Sequence, residues 1–303
     1  QSLNLKKVFE VRVVRLQHQQ EIYSFLLCNA RNWTNVLASR AQQRIFTMTA
    51  LSPTKILVFG ASGQTGKYVT KFALESSSGY VVVAFVRTPD KLRSLLRDLG
   101  VQQSAIDARL QIVQGDLTDA DAIKNVIREK LSPETGDVII NCAGKPKACS
   151  LCGGAPLLPD AVRAIVQGMR EKGLKRFLNQ MGAMTVDKRL RRDPSYYPKK
   201  CIVRFCGPLM CIRGMVGDNE QVAPFLYKEC ADIEWIVSRP GLLVEGKSKC
   251  GEKYTMGVVW KEPFLTAYVD LGEWTVRAVF EDNLVHTSPT PGYVARSAQK
   301  PSS

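Results

Sequence analysis

Lys55-Ile56-Leu57-Val58-Phe59-Gly60-Ala61-Ser62-Gly63-Gln64-Thr65-Gly66-Lys67 is the stretch whose reading decides the fold. Residues 56–59 are a short, unbroken apolar run, which suits a strand covered on both faces in a parallel sheet better than a half-exposed one. Gly60, Gly63 and Gly66 then recur at every third position, each without a Cβ where a backbone needs positive φ, close approach to a phosphate or tight packing of helix on strand. A helix opening near Thr65 aims its free N–H groups and positive dipole end at a diphosphate. The spacing is GxxGxxG rather than GxGxxG, so the surroundings must support the reading. They do: an amphipathic segment follows (Tyr68, Val69, Phe72, Ala73, Leu74), then a second apolar run over 80–86.

That second run ends at Arg87, twenty-one residues beyond Gly66, where a dinucleotide-binding fold places the group that meets the adenosine ribose. An acid there accepts hydrogen bonds from a free 2′-hydroxyl, whereas a guanidinium matches a 2′-phosphate. Arg87 therefore points to NADP(H) over NAD(H), with Lys91 one helical turn on as a second positive charge. The plain alternative is a solvated Arg and Lys at a strand-to-helix junction.

At 303 residues and 45% hydrophobic content the chain can fill one large α/β domain or two small ones. No apolar run approaches the length of a membrane span. The net charge of +14 fits attraction to nucleic acid, acidic lipid or anionic small molecules. No arginine-aromatic pattern of an RNA-recognition motif is present, so nucleic acid is not the expected partner. Residues 1–47 hold seven Lys and Arg against two Glu and contain Ser and Gln, a composition compatible with an organelle transit peptide. Met48 would make a natural start for a compact domain. The division expected is thus an N-terminal extension over 1–47, a domain over 48–295 and a tail over 296–303. The expected location is cytoplasmic, or mitochondrial or plastidic if 1–47 is a transit peptide.

Nine cysteines, an odd number, read as reduced thiols. Cys149 and Cys152 form a CxxC, and Cys201, Cys206 and Cys211 follow at intervals of five. Neither set has a second CxxC or a histidine pair, and His18 and His286 are distant in sequence, so no metal site is expected. Oxidation of Cys149 and Cys152 to a disulfide stays open.

Beyond the glycine turn, Thr88-Pro89-Asp90 starts a short helix that ends at Gly100. A third strand over 110–114 exits through Gly115-Asp116-Leu117, beside the adenine in a doubly wound sheet, so Asp116 and Leu117 are candidates for base contacts. The alternative is an N-terminal cap, with Thr118 heading the helix over 120–131 and Asp116 bracing the turn. A fourth strand over 137–142 ends in Ala143-Gly144-Lys145-Pro146, small residues that let a cofactor lie against backbone. A helix over 157–172 and a fifth strand over 175–182 follow. The alternation then breaks: residues 188–213 are basic and irregular, before a helix from about 219 to 230 and a sixth strand over 233–238 running into Arg239-Pro240-Gly241. A strand over 254–259, a helix over 268–280 and an extended stretch over 284–288 complete the chain.

With these segments placed, the chain resembles the atypical, extended-type short-chain dehydrogenase/reductase superfamily, in particular the NmrA-like branch that includes biliverdin reductase B, the NADPH-dependent flavin reductase. The likeness covers about 54–295. It rests on the glycine turn, Val86-Arg87 with Lys91-Leu92, Gln114-Gly115-Asp116-Leu117, the fourth strand, Met181-Gly182-Ala183, Ile236-Val237-Ser238-Arg239-Pro240-Gly241 and Val269-Asp270-Leu271-Gly272. The resemblance implies a doubly wound, Rossmann-type parallel sheet with a small irregular C-terminal substrate-side region, and substrate-side insertions near 183–217 and 242–267. It also implies that Ser62, Gln64 and Thr65 hold the diphosphate within Gly60, Gly63 and Gly66, Arg87 and Lys91 the 2′-phosphate, Asp116 and Leu117 the adenine, and Ala143 and Gly144 the ribose. Pro240 and Leu242 would line the nicotinamide end.

Where the family commonly has serine at the end of the fifth strand, this chain has Asn179-Gln180-Met181. Gln180 is the candidate to supply a hydrogen bond in its place. Tyr196 and Lys200 have the four-residue spacing of a reductase Tyr-Lys pair, in which lysine lowers the phenol pKa for proton donation. Flavin reduction needs no such acid, because hydride passes between stacked rings and solvent supplies the proton. Tyr254, Trp260 and Phe264 are candidate stacking walls. The basic 188–204 segment either attracts a planar anionic substrate, such as a flavin phosphate or a tetrapyrrole, or is a solvated loop. Two functions therefore stand side by side. One is an NADPH-dependent oxidoreductase acting on a flavin-like acceptor; the other is a catalytically silent NAD(P)-binding sensor or an accessory subunit of an organelle complex.

Overall fold

A computed structural model describes residues 53–144, 158–182, 213–251, 253–259 and 265–296, all within the unit Pro53–Ser303. Six strands form one parallel sheet in the order β3-β2-β1-β4-β5-β6. They are β1 (Lys55–Phe59), β2 (Val81–Val86), β3 (Leu110–Gln114), β4 (Val138–Asn141), β5 (Arg176–Gln180) and β6 (Glu234–Ser238). Both sheet faces are covered, which is why the strands read as unbroken Val, Ile and Phe runs. Because side chains alternate along each strand, Leu57, Phe59, Val83, Phe85, Ile139, Phe177 and Val237 enter one core. Ile56, Val58, Val82, Ala84, Ile140, Leu178 and Ile236 enter the other. Helices α4 (Ala120–Lys130), α5 (Leu158–Lys172) and α6 (Arg213–Glu229) cover the first face. The second is covered by α1 (Gln64–Glu75), α2 (Pro89–Asp98), α3 (Gln103–Arg109) and α7 (Tyr268–Ala278). This is the expected doubly wound α/β architecture.

Differences from the expected elements have local causes. The cap of α4 is Asp119, not Thr118: its carboxylate accepts the N–H groups of Asp121 (3.0 Å) and Ala122 (2.9 Å). Helix α3 was not anticipated, since seven residues with a single buried side chain, Ile106, show no period. Its Arg109 binds the carbonyls of Leu74 and Ser76 at the end of α1, where a helix leaves acceptors unpaired. Helix α6 begins six residues before the expected start, across Gly214 and Gly217, and continues through Pro224. Burial of Val222, Ala223 and Leu226 outweighs those poor helix formers.

The extended stretch expected over 284–288 is instead a 3-10 turn (Asp282–Leu284) followed by a strap along β6. In it His286 N–H bonds Trp235 O (2.7 Å), Val237 N–H bonds Thr287 O (3.0 Å) and Arg239 N–H bonds Pro289 O (2.9 Å). The strap covers the open edge of the sheet, a common protection for an edge strand. The last strand comes later, as β10 (Pro291–Ala295), antiparallel to β8 (Tyr254–Val258). A second small pair, β7 (Leu242–Val244) and β9 (Leu265–Ala267), is parallel.

Candidate functional site

The sheet order reverses at β1, which pairs with β2 on one side and β4 on the other. In such sheets ligands bind outside the carboxyl ends of the strands at this switch point. The glycine turn lies there. Gly60 leaves β1 with φ +74, and a Cβ on it would meet Ala143 N at 2.7 Å and Cα at 2.8 Å. Cys142 N–H donates to Phe59 O (3.0 Å), holding the β4 exit against the same turn. A Cβ on Gly66 would lie 2.1 Å from the Gly60 carbonyl oxygen, so Gly66 seats α1 on the turn. Gly63 is different. It is the exposed, extended N-cap of α1, and no side chain caps the helix. Its N–H bonds Gly60 O (2.9 Å), and the first helical bond is Lys67 N–H to Gly63 O (3.0 Å). The N–H groups of Gln64, Thr65 and Gly66 therefore precede the helical ladder and form an anion-accepting end. Thr65 is buried, Ser62 half-buried and Gln64 exposed.

At the carboxyl ends of β2 and β3, Gly115 N–H donates to Val86 O (3.0 Å) and the Gln114 side-chain amide to Arg87 O (3.2 Å). These fix the junction from which the exposed Arg87 side chain projects. Among the described residues neither Arg87 nor Lys91 is held in an ion pair. Asp116 braces the turn: one carboxylate oxygen accepts the Thr118 N–H (2.9 Å) and hydroxyl (2.9 Å). The bond from Thr118 N–H, then that from its hydroxyl, and more weakly the Arg87 charge, hold the Asp116 carboxyl below its usual range. Leu117 packs partly against the first core.

At the other half of the edge, three polar side chains lie buried at or next to the ends of β4, β5 and β6: Asn141, Asn179 and Ser238. Asn141 accepts the Ala143 N–H (3.1 Å) and donates to Asn179 Oδ1 (2.7 Å), joining β4 to β5. Gln180 and Ser238 are register partners, and Gln180 Oε1 and Ser238 Oγ are buried without a hydrogen-bond partner among the described residues. Sequence reading had picked out Gln180 but neither asparagine nor Ser238, whose signal is a polar residue closing an apolar strand. Desolvation pushes the thiol of the neighbouring, half-buried Cys142 up to about 12, which disfavours its thiolate.

Ala143 is half-buried, Gly144 exposed, Pro240 buried and Leu242 59% exposed. Tyr254, one of the candidate stacking walls, lies exposed on β8. Tyr196, Lys200, Lys145, Trp260, Phe264, Cys149 and Cys152 lie outside the described residues. A cavity of about 230 Å³ opens at the opposite, amino edge, lined by Gly136, Lys175, Arg176, Glu234 and Phe280 among others, away from every group named above. Among the described residues no cluster of His, Cys, Asp or Glu is arranged to hold a metal, and no helix is long and apolar enough to cross a membrane.

Residues 60–260, which include the turn, Arg87 and the whole carboxyl edge, match the NAD(P)H-binding protein family. The chain belongs to that family. Two curated relatives come from fungi. The reductase pytE of Aspergillus terreus is 33% identical over 134 residues, 41% of this chain and 48% of the relative. The oxidase pynE of Aspergillus niger is 40% identical over 77 residues, 25% of this chain and 27% of the relative. The chain thus spans about half or less of the length of these relatives. Among solved structures, ChuY, an anaerobilin reductase of Escherichia coli O157:H7, superposes with TM-score 0.56 at 16% identity, covering 82% of this chain and all of that one. The oxidoreductase ylbE of Lactococcus lactis gives TM-score 0.56 at 14% identity, covering 80% and 91%. At such identities the likeness is one of fold. The residues present suit a nicotinamide dinucleotide: a glycine cradle that Cβ atoms would fill, an uncapped helix start beside it, and orphaned polar atoms at the far half of the edge.

Proposed function

We propose that this NAD(P)H-binding family member is an NADPH-dependent oxidoreductase of the NmrA-like type that passes hydride to a planar small-molecule acceptor of flavin or tetrapyrrole class. One observation carries the cofactor choice: the residue that follows β2 at the dinucleotide edge is an exposed arginine, where an NAD-selective site has an acid. Arg87, with Lys91 behind it, offers the 2′-phosphate a charge-assisted pair, and the Gln114 amide holds its backbone still.

When bound, the nicotinamide supplies the hydride. The chain's own contribution is positional. The turn from Gly60 to Gly66 takes the diphosphate, Ala143 and Gly144 leave room for the ribose, and Pro240 and Leu242 border the nicotinamide end. The reaction balances as one hydride and one solvent proton delivered to the acceptor, so it requires no acidic side chain. The exit of β5 fits this, because Asn179, Gln180 and Met181 put no hydroxyl there, and Gln180 remains as an amide to orient the acceptor. The names of the relatives, a reductase and an oxidase, support electron transfer as the reaction class.

The same missing hydroxyl favours a second reading, a dinucleotide sensor without turnover. Following NADPH absorbance as flavin mononucleotide, naphthoquinones, biliverdin and simple carbonyl compounds are added in turn decides between them. Oxidation with a planar acceptor and none with the carbonyl compounds is expected. Tight NADPH binding with no oxidation by any acceptor leaves the sensor.

A further inference from the structure

The segment that follows β6 is fastened at two places of unequal strength. At one, Asp270 near the start of α7 is 1% exposed and accepts the Ser248 hydroxyl, the Lys249 N–H (2.9 Å) and the Tyr293 hydroxyl (2.7 Å). Tyr293 Oη accepts the Ala267 N–H in turn (3.0 Å), so one buried carboxylate joins the loop, the head of α7 and β10. At the other, Glu245 accepts Lys67 Nζ at 2.9 Å and the Tyr68 hydroxyl at 3.3 Å, both from the opening turns of α1. The Glu245 side chain is 49% exposed. Gly246 follows it directly with φ +157 and open space where a Cβ would stand, a conformation that other residues rarely adopt.

Between Pro240 and Glu245 runs β7, whose only strand partner among the described residues is β9. In that pair Leu242 lies opposite Leu265, and both are exposed, at 59% and 38%. Parallel partners in register point to the same face, so two leucines stand side by side toward solvent just past Pro240, at the carboxyl end of β6. Scattered exposed leucines mean little, but a paired apolar wall at the mouth of a ligand crevice is surface for a ligand to cover. The fastenings on either side of this wall differ in kind. An exposed ion pair contributes about 0–1 kcal/mol and weakens with salt, while a buried carboxylate with three donors stays in place.

We propose that Glu245 is a positioning residue for the acceptor: its contact with Lys67 and Tyr68 sets the Leu242–Leu265 wall beside the cofactor crevice, and the acceptor presents an apolar ring face to that wall. This rests on the oxidoreductase reading. It makes α1 serve both halves of the site, its glycine end toward the diphosphate and its Lys67 side toward the acceptor.

The test uses the full chain, Glu245→Gln, which keeps the shape and removes the charge, and the exchanged pair Lys67→Glu with Glu245→Lys. Steady-state rates with NADPH are measured against menadione and flavin mononucleotide, together with NADPH affinity by calorimetry and amide hydrogen exchange over residues 242–246. Glu245→Gln is expected to raise the acceptor KM by about two- to fivefold, the upper part of the span of a lost surface ion pair, with kcat and NADPH affinity changed by less than that. Exchange over 242–246 should quicken, and the exchanged pair should restore both KM and protection. An unchanged acceptor KM, or an NADPH affinity that falls in step with it, overturns the inference while leaving the oxidoreductase reading intact. A wild-type chain that turns over neither acceptor removes that reading instead. Exchange then still decides whether Glu245 fastens the segment, and no quickening in Glu245→Gln removes that as well.

Discussion

A methyl group on Gly66 would stand 2.1 Å from the Gly60 carbonyl oxygen and 2.8 Å from Ala61 Cα, both backbone atoms that cannot turn aside. Gly66→Ala is therefore expected to lower Tm by several degrees and abolish dinucleotide binding. At Gly63 the same methyl meets one atom, Gly60 O, at 3.0 Å, and the backbone there is already extended. Gly63→Ala should lower Tm by clearly less than Gly66→Ala, since a contact at 3.0 Å asks the Gly60 carbonyl to give by only a few tenths of an ångström where 2.1 Å cannot be accommodated, yet weaken NADPH binding, because the added carbon enters the diphosphate approach. Thermal unfolding and calorimetric titration on the two variants separate these outcomes, and equal Tm losses would contradict the assignment. The three glycines were legible in the sequence because their spacing sits between a strand and a helix. Arg87 was legible because its distance from Gly66 is fixed by one helix and one strand. Asn141 and Asn179 were not, since each looks like an incidental polar residue until β4 and β5 are placed side by side. Glu245 was hidden for the same reason: its partners Lys67 and Tyr68 lie 178 and 177 positions away.

Helix α7 meets α1 closely where Gly272 faces Tyr68. A Cβ on Gly272 would lie 2.4 Å from Tyr68 Cβ and 2.9 Å from its carbonyl carbon. Gly272→Ala should force the pair apart and destabilise the fold by about 1–3 kcal/mol, the usual cost of overpacking, read as a shift of the urea midpoint. Because Lys67 and Tyr68 share that helix, its effect on the acceptor side should exceed its effect on NADPH affinity. A second element contact predicts acid behaviour. Arg170 of α5 binds both carboxylate oxygens of Asp232 at 2.8 Å, just ahead of β6, and these bonds draw its pKa from 3.8 down to about 2. A folded pKa below the unfolded value contributes stability above about pH 4 that is lost as pH falls toward 2. Both side chains are more than 40% exposed, so screening limits the effect to about 1 kcal/mol or less. Asp232→Asn should flatten the acid limb of the urea midpoint between those values and leave the midpoint's slope with pH above about 5 unchanged. Elements with a long apolar period were legible from sequence. Helix α3 and strands β7 and β9 were not, being too short to show a period, and the start of α6 was masked by two glycines whose cost only tertiary burial offsets.

Taken as a whole, the molecule is a parallel sheet whose order reverses at β1, and every group assigned to the cofactor stands along the carboxyl edge on either side of that reversal. This arrangement was readable before any coordinates, because strand-helix alternation with right-handed crossovers leaves few ways to order six parallel strands. What the alternation did not disclose is how the irregular C-terminal segments return to that edge, since their placement depends on a strap, two short strand pairs and single contacts such as Asp270 with Tyr293. The central claim is that a 2′-phosphate is recognised at the end of β2. Its most direct measurement is calorimetric titration of NADPH and NADH into the wild-type chain and into Arg87→Ala at equal ionic strength. A wild-type preference for NADPH of about ten- to a hundredfold is predicted, from about 1.5–3 kcal/mol for hydrogen bonds to a charged group, with most of it gone in the variant. Equal affinity for the two dinucleotides in the wild type, or a preference that survives the loss of Arg87, would contradict it.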